Sequence, residues 1–174
     1  MYQYDKFTHE EFRYKRLKDS FDALNYSISD AAINQMADDY ITFLPENNHL
    51  FDGAIEILEY LKSKDYSMHL ITNGFESVQF KKIKNSNLAD YFTEVITSEA
   101  SNSLKPNKEI FEYALKVSNA NVETSIMIGD NEDADIQGAI NVGMDSIFVN
   151  HLQIQPTVPA THTITHLKEL ENIF

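Results

Sequence analysis

Met68-His69-Leu70-Ile71-Thr72-Asn73-Gly74 opens as a short apolar run and stops on a hydroxyl, an amide and a glycine. Such a run reads as a buried parallel strand over 68–71, with Thr72-Asn73-Gly74 as the turn that ends it. Ser125-Ile126-Met127-Ile128-Gly129-Asp130 repeats the pattern further on. Around these two strands the chain alternates helix and strand. A helix is expected from about Gly53 to Ser63, with Ala54, Ile57, Leu58 and Leu61 apolar, and another from Glu76 to Asn85. Glu94–Thr97 reads as a strand, and Pro106 suits the first turn of a helix whose stripe is Ile110, Phe111, Ala114 and Leu115. Asp133–Val142 reads as a helix closed by Gly143, followed by a strand at Ser146–Val149. A polar loop holds Pro156 and Pro159. His162–Ile164 then reads as a short strand, and Leu167, Leu170 and Ile173 mark a last helix. Alternation with short connections predicts an α/β fold with a doubly wound parallel sheet.

The stretch up to about Leu44 reads differently. Thr8-x-x-Glu11 has the spacing of a capping box, and Tyr14, Leu17, Phe21 and Leu24 recur at steps of three and four. Ser29 or Asp30 can cap a second helix with Ile33, Met36, Ala37, Tyr40 and Ile41 on one side. Pro45-Glu46-Asn47-Asn48 breaks the pattern, so residues 1–48 are expected to form a helical piece and residues 49–174 the α/β core.

Composition narrows the class. Among 174 residues, 14 Lys and Arg against 27 Asp and Glu leave a net charge of −13. A chain this acidic is repelled by phosphate backbones and anionic lipid, so neither nucleic acid nor a membrane surface is an expected partner. No apolar run approaches the ~20 residues of a membrane span. Met1-Tyr2-Gln3-Tyr4-Asp5-Lys6 lacks the basic and apolar regions of a signal peptide, which points to a cytoplasmic protein. With no cysteine there is no disulfide, thiolate metal site or cysteine nucleophile.

Ligands of open parallel sheets gather beyond the carboxyl ends of the strands. Three such ends carry chemistry here: Thr72-Asn73-Gly74, Lys105-Pro106, and Gly129-Asp130 with Asp135 five residues on. Hydroxyl, ammonium and paired carboxylates converging on one crevice could hold a phosphoryl group and Mg²⁺. Singly, each has a plainer reading: Thr72 as a helix cap, Lys105 as a solvated lysine, Asp130 and Asp135 as caps on the next helix. His162-x-x-x-His166 has metal-like spacing without a third ligand and reads as two surface histidines. His69, inside a strand, reads as a packed histidine.

Leu70-Ile71-Thr72-Asn73-Gly74, Leu104-Lys105-Pro106-Asn107-Lys108-Glu109-Ile110-Phe111, and Ile126 to Asp130 through Asp135-Ile136-Gln137-Gly138-Ala139 resemble motifs two, three and four of the haloacid dehalogenase-like (HAD) hydrolases. The helical front and the wording Ile-Thr-Asn-Gly-Phe look most similar to the pyrimidine 5′-nucleotidase branch, which makes residues 1–48 a partial helical cap. The resemblance implies Mg²⁺-dependent phosphate-ester hydrolysis through an aspartyl-phosphate, on a nucleotide or another small phosphorylated metabolite. It puts Thr72, Asn73 and Lys105 in the catalytic set, with Thr72 bonding the phosphoryl group and Lys105 holding nucleophile and phosphate. It gives Asp130 to the metal, with Asp135 supporting that site directly or through water.

The family's first motif, an apolar strand ending Asp-x-Asp, supplies nucleophile and general acid, and no Asp-x-Asp occurs before residue 72. Asp133-Ala134-Asp135 has the spacing but lies in motif four. The resemblance therefore predicts a chain that begins late, without the strand of that motif and the first two cap helices, roughly 45 residues at average element lengths. It also predicts a core without its central strand, leaving two half-sheets whose free edges offer a route to homo-oligomers. Two functions stand against each other: a phosphohydrolase seen without its first segment, and an inactive relative that binds phosphate or a partner chain. A signalling receiver domain is excluded, because its acidic pair comes first in the chain and its lysine last.

Overall fold

The computed structural model describes residues 8–174; the Met1–Lys6 stretch lies outside the described residues. The chain forms two compact units, Met1–Asn47 and Asn48–Phe174.

In the first unit, α1 (His9–Ala23) starts at a reciprocal capping box. The Thr8 hydroxyl accepts from Glu11 N at 3.2 Å and the Glu11 carboxylate accepts from Thr8 N at 2.7 Å, satisfying two donors the helix cannot. Ser29 caps α2 (Asp30–Phe43). The Tyr14 hydroxyl donates to Asp30 at 2.6 Å, tying the helices together. Only Ile33 and Ala37 of the expected α2 stripe are buried; Met36 is 42% and Tyr40 45% exposed. Ile33 and Ala37 stand at i, i+4, so the covered face is one such row wide.

The second unit carries the α/β core. Its elements are α3 (Ala54–Ser63), β1 (His69–Thr72), α4 (Glu76–Asn85), β2 (Glu94–Thr97), the short α5 (Ser98–Ser101), α6 (Lys108–Val117), β3 (Ile126–Gly129), α7 (Gln137–Val142), β4 (Asp145–Val149) and β5 (His162–Ile164). All strand pairs are parallel, in two separate sheets ordered β1-β2 and β3-β4-β5. Ile71 lies opposite Ile96, and Ile128 opposite Ile147. Burial follows position. Every residue of β4 after Asp145 is buried, whereas all four of β1 and three of four in β3 are only half-buried. Strands paired on both sides exclude water from both edges, and β1 and β3 have one unpaired edge each. Thr93 N donates to Met68 O beside β2. Successive carbonyls alternate along a strand, so those of His69 and Ile71 point away from β2.

A shared core holds the sheets together. Ile110, Phe111 and Ala114 of α6 pack with Ile96 of β2, Met127 of β3 and Ala139 of α7, with Ile71 at the margin. A second cluster joins Ile57 and Leu61 of α3 to Ile147, Val149, Ile164 and Leu170.

Five elements differ in bounds or type from the sequence reading. The strands at 68–71 and 125–128 run one residue later. Pro106 precedes α6, which starts at Lys108 after the Asn107 N-cap; the Lys105–Pro106 peptide is cis. The helix expected over Asp133–Val142 begins with a π-turn, Glu132–Ile136, before α7, and Gly143 closes it at φ +74°. The last helix is a 3₁₀-helix, Leu167–Asn172.

That 3₁₀-helix gives a pH prediction. The Glu169 carboxylate accepts from Thr165 N (2.8 Å), His166 N (2.8 Å) and the Thr165 hydroxyl (3.0 Å). These bonds, the Thr165 backbone first, hold its pKa below the ordinary carboxylate value. A depressed pKa stabilises the fold above the unfolded value, and that contribution is lost as pH falls through the folded one. Urea denaturation at pH 7 is expected to show the parent chain ahead of Glu169→Gln. The gap should close below about pH 4.

Candidate phosphate site

Lys105 is the centre of the crevice. Its Nζ donates to the Ile71 carbonyl at 2.8 Å and to Asp135 Oδ1 at 2.6 Å. One ammonium thus joins the end of β1 to the turn after β3, so the carboxyl ends of the two sheets open on the same side. The Ile71 carbonyl is one of those pointing away from β2, so the lysine satisfies a backbone acceptor that β2 leaves unpaired. The pair is largely withdrawn from water, with side-chain exposures of 11% for Lys105 and 5% for Asp135.

Thr72 and Asn73 follow β1 directly. The Thr72 hydroxyl accepts from Gly74 N at 3.1 Å, which folds the turn back over the strand end. The Asn73 amide reaches the lysine loop, accepting from Lys105 N at 2.8 Å and donating to Lys105 O at 3.0 Å. The structure therefore brings together Thr72, Asn73, Lys105 and Asp135. Asp130, the residue after β3, is exposed at the same end and has no hydrogen bond or ion pair among the described residues.

The turn that carries the carboxylates is built by residues the sequence reading passed over. Asn131 caps it, its side chain accepting from Ala134 N at 2.8 Å while its own N–H donates to Asp135 Oδ2 at 3.1 Å. Neither Asp130 nor Asp135 acts as the cap. The Glu132 carboxylate accepts from Thr157 N (2.6 Å) and Val158 N (3.0 Å), pinning the 150–161 loop to this turn. Those backbone donors, Val158 first, depress its pKa. Gly129 is required by close approach: a Cβ there would overlap the Asp135 carboxylate. An Asn after Gly-Asp is the signal that could have marked the cap. Glu132 leaves no comparable mark, because its partners lie 25 residues away.

The histidines take no part. His162 and His166 are exposed, and His166 takes part in the cap of the 3₁₀-helix. His69 is half-buried with its Nδ1 unpartnered.

Oxygen donors suit Mg²⁺ in kind, but these are too few. Both Asp135 oxygens are engaged, by Lys105 and by Asn131 N, which leaves the Asp130 carboxylate. Among the described residues no group of three or more His, Cys, Asp or Glu could hold a metal ion. These residues alone do not fit the ion. Nor is any helix of the described residues long and apolar enough to cross a membrane.

Comparison with known proteins agrees with the fold. Pyrimidine 5′-nucleotidase YjjG of Escherichia coli is 33% identical over 178 residues, spanning 99% of this chain and 75% of that protein. A glyceraldehyde 3-phosphate phosphatase of Methanothermobacter thermautotrophicus is 39% identical over 100 residues, 58% of this chain and 44% of that one. The HAD-hydrolase YfnB of Bacillus subtilis is 28% identical over 170 residues, 97% of this chain and 70% of its own. The crystal structure of YfnB, bound to magnesium, superposes with a TM-score of 0.83 over 97% of this chain and 73% of that one. The model of the haloacid dehalogenase-like hydrolases matches residues 1–149, and to that family the chain belongs.

Proposed function

We propose that the crevice around Lys105 is the phosphate-binding half of a phosphohydrolase acting on a small phosphorylated metabolite, a nucleoside monophosphate or a sugar phosphate. The observation that carries this is the Lys105 ammonium, withdrawn from water between the strand ends with a carboxylate as its counter-ion. In a site of low polarity a fixed positive charge stabilises the oxygens of a phosphoryl group far more than it would in water. The Thr72 hydroxyl offers a neutral donor to the same oxygens. Relatives named as a nucleotidase and as a glyceraldehyde 3-phosphate phosphatase support the substrate class. In this reading residues 1–48 are a partial helical cap and residues 49–174 an incomplete hydrolase core; Asp130 would supply one oxygen ligand to Mg²⁺, with Asp135 behind it. The described residues alone do not complete that ligand set.

Turnover is a separate matter. The sequence has no Asp-x-Asp after an apolar strand, so the chain by itself lacks the carboxylate that would take the phosphoryl group. Binding without turnover is therefore the expected behaviour of the 174 residues alone. With Mg²⁺ present, purified chain should release no phosphate above background from nucleoside monophosphates or glyceraldehyde 3-phosphate. Inorganic phosphate should shift the amide NMR signals of Thr72, Gly74 and Lys105 in the parent chain and not in Lys105→Met. Robust turnover unaffected by Asp130→Ala would overturn the reading, as would a phosphate response that survives Lys105→Met.

A further inference from the structure

Lys105 and Pro106 present three polar main-chain groups, since proline has no N–H. None is satisfied by a strand or helix ladder. Lys105 N donates to Asn73 Oδ1 at 2.8 Å, and Lys105 O accepts from Asn73 Nδ2 at 3.0 Å. Pro106 O accepts from Asn141 Nδ2 at 3.1 Å. Two asparagine amides, 32 and 35 residues away in sequence, thus satisfy the whole dipeptide. They come from different halves of the core: Asn73 follows β1, and Asn141 lies on α7, which packs beside β3 and β4.

The amide of Asn141 is oriented by a neighbour. Gln137 Nε2 donates to Asn141 Oδ1 at 2.9 Å, which leaves the NH₂ group to face Pro106. One turn earlier on the helix, Gly138 brings α7 against the same segment; a Cβ there would overlap the Phe111 ring and lie 3.3 Å from Pro106 Cα. The lysine loop is therefore gripped from both sides at its backbone, while its ammonium is held separately by the Ile71 carbonyl and Asp135.

We propose that Asn73 and Asn141 are positioning residues that together preset the Lys105 ammonium for an anionic ligand, and that neither touches the ligand with its side chain. The Asn73 amide has its oxygen and nitrogen engaged by Lys105, so its part in the site is to aim the lysine. A flexible lysine loses side-chain and backbone freedom when it binds an anion; a gripped backbone has lost much of that freedom beforehand. This inference rests on the phosphate reading above, and its test separates the two.

The test uses the full ¹⁵N-labelled chain with inorganic phosphate as probe, followed by NMR titration and amide hydrogen exchange. Asn73→Ala and Asn141→Ala are each expected to weaken phosphate binding roughly fivefold to tenfold, the scale of one or two hydrogen bonds. The β1-β2 and β3-β4 ladder amides should keep their protection, so that a general loss of structure is excluded. Protection of the Lys105 amide should vanish in Asn73→Ala and survive in Asn141→Ala, because only Asn73 holds that N–H. Asn73→Asp keeps the acceptor and should restore the protection. Unchanged phosphate affinity in both alanine variants overturns the proposal, as does a Lys105 amide still protected in Asn73→Ala. If Lys105→Met binds phosphate as the parent does, the phosphate reading falls by itself. Lys105 amide exchange then decides the positioning role, with loss in Asn73→Ala supporting it and retention overturning it.

Discussion

Replacing Lys105 by methionine is expected to cost the second unit about 3–5 kcal/mol of stability at neutral pH, the range for breaking a buried ion pair from one side. The size follows from what is left behind. Asp135 is 4% exposed, and without the ammonium its carboxylate keeps one bond, from Asn131 N. The Ile71 carbonyl loses its donor at the same time. Methionine fills most of the volume, so the loss is electrostatic and not a cavity effect. Asp135→Asn removes the stranded charge and keeps an oxygen for Asn131 N. Lys105→Met/Asp135→Asn should therefore be more stable than Lys105→Met alone. Urea denaturation of the four chains forms a double-mutant cycle, and the expected result is a coupling of at least ~1 kcal/mol. Simple additivity would mean that the two groups are held independently.

Phe111→Ala should cost a similar amount, about 3–5 kcal/mol, through a different mechanism. Phe111 is 0% exposed and sits in the cluster that Ile96 of β2 and Met127 of β3 both enter. Among the described residues no backbone ladder joins the two sheets, so side-chain contacts such as this cluster and the Lys105 bridge hold them in place. Removing the ring opens a void where the surroundings cannot collapse without moving one sheet against the other. The same contact predicts an interaction with Gly138. Alone, Gly138→Ala pushes a methyl group into the ring edge and should cost about 1–3 kcal/mol. In the Phe111→Ala background that overlap is gone, and Gly138→Ala should then be close to neutral. Thermal melts of the two single variants and the double variant read both results.

How much of this was legible beforehand depends on how local each cause is. The strands at 69–72 and 126–129, the Thr8 and Ser29 caps and the stripe of α6 follow from residues within one turn of each other, and the sequence shows them. The split of the parallel strands into two sheets was legible only through the family resemblance, whose central first strand has no counterpart before residue 72. Leu167, Leu170 and Ile173 recur every three residues, which is the period of the 3₁₀-helix that the last helix forms. Thr72, Lys105 and Asp130 stood out because each follows a strand. Which group Lys105 would meet, and that Asn73 would spend its amide on the lysine backbone, depend on partners 30 and 32 residues away. Asn141 was invisible for the same reason: an asparagine near the end of a helix has nothing local to distinguish it.

The π-turn at Glu132–Ile136 has a consequence for sequence length. Asn131 O accepts from both Asp135 N (2.8 Å) and Ile136 N (3.3 Å), so the turn holds one residue more than an α-helix would. Each residue of an α-helix advances the phase by about 100°. A chain one residue shorter between Asn131 and Gln137 could still form a regular helix there, with better hydrogen-bond geometry. It would leave the carboxylate at position 135 and the α7 face of Gly138 and Asn141 out of phase by about that angle, so Lys105 and the Pro106 carbonyl could not both be met. Insertions and deletions are ordinarily tolerated in connecting segments. In this one, the count of residues is itself part of the crevice.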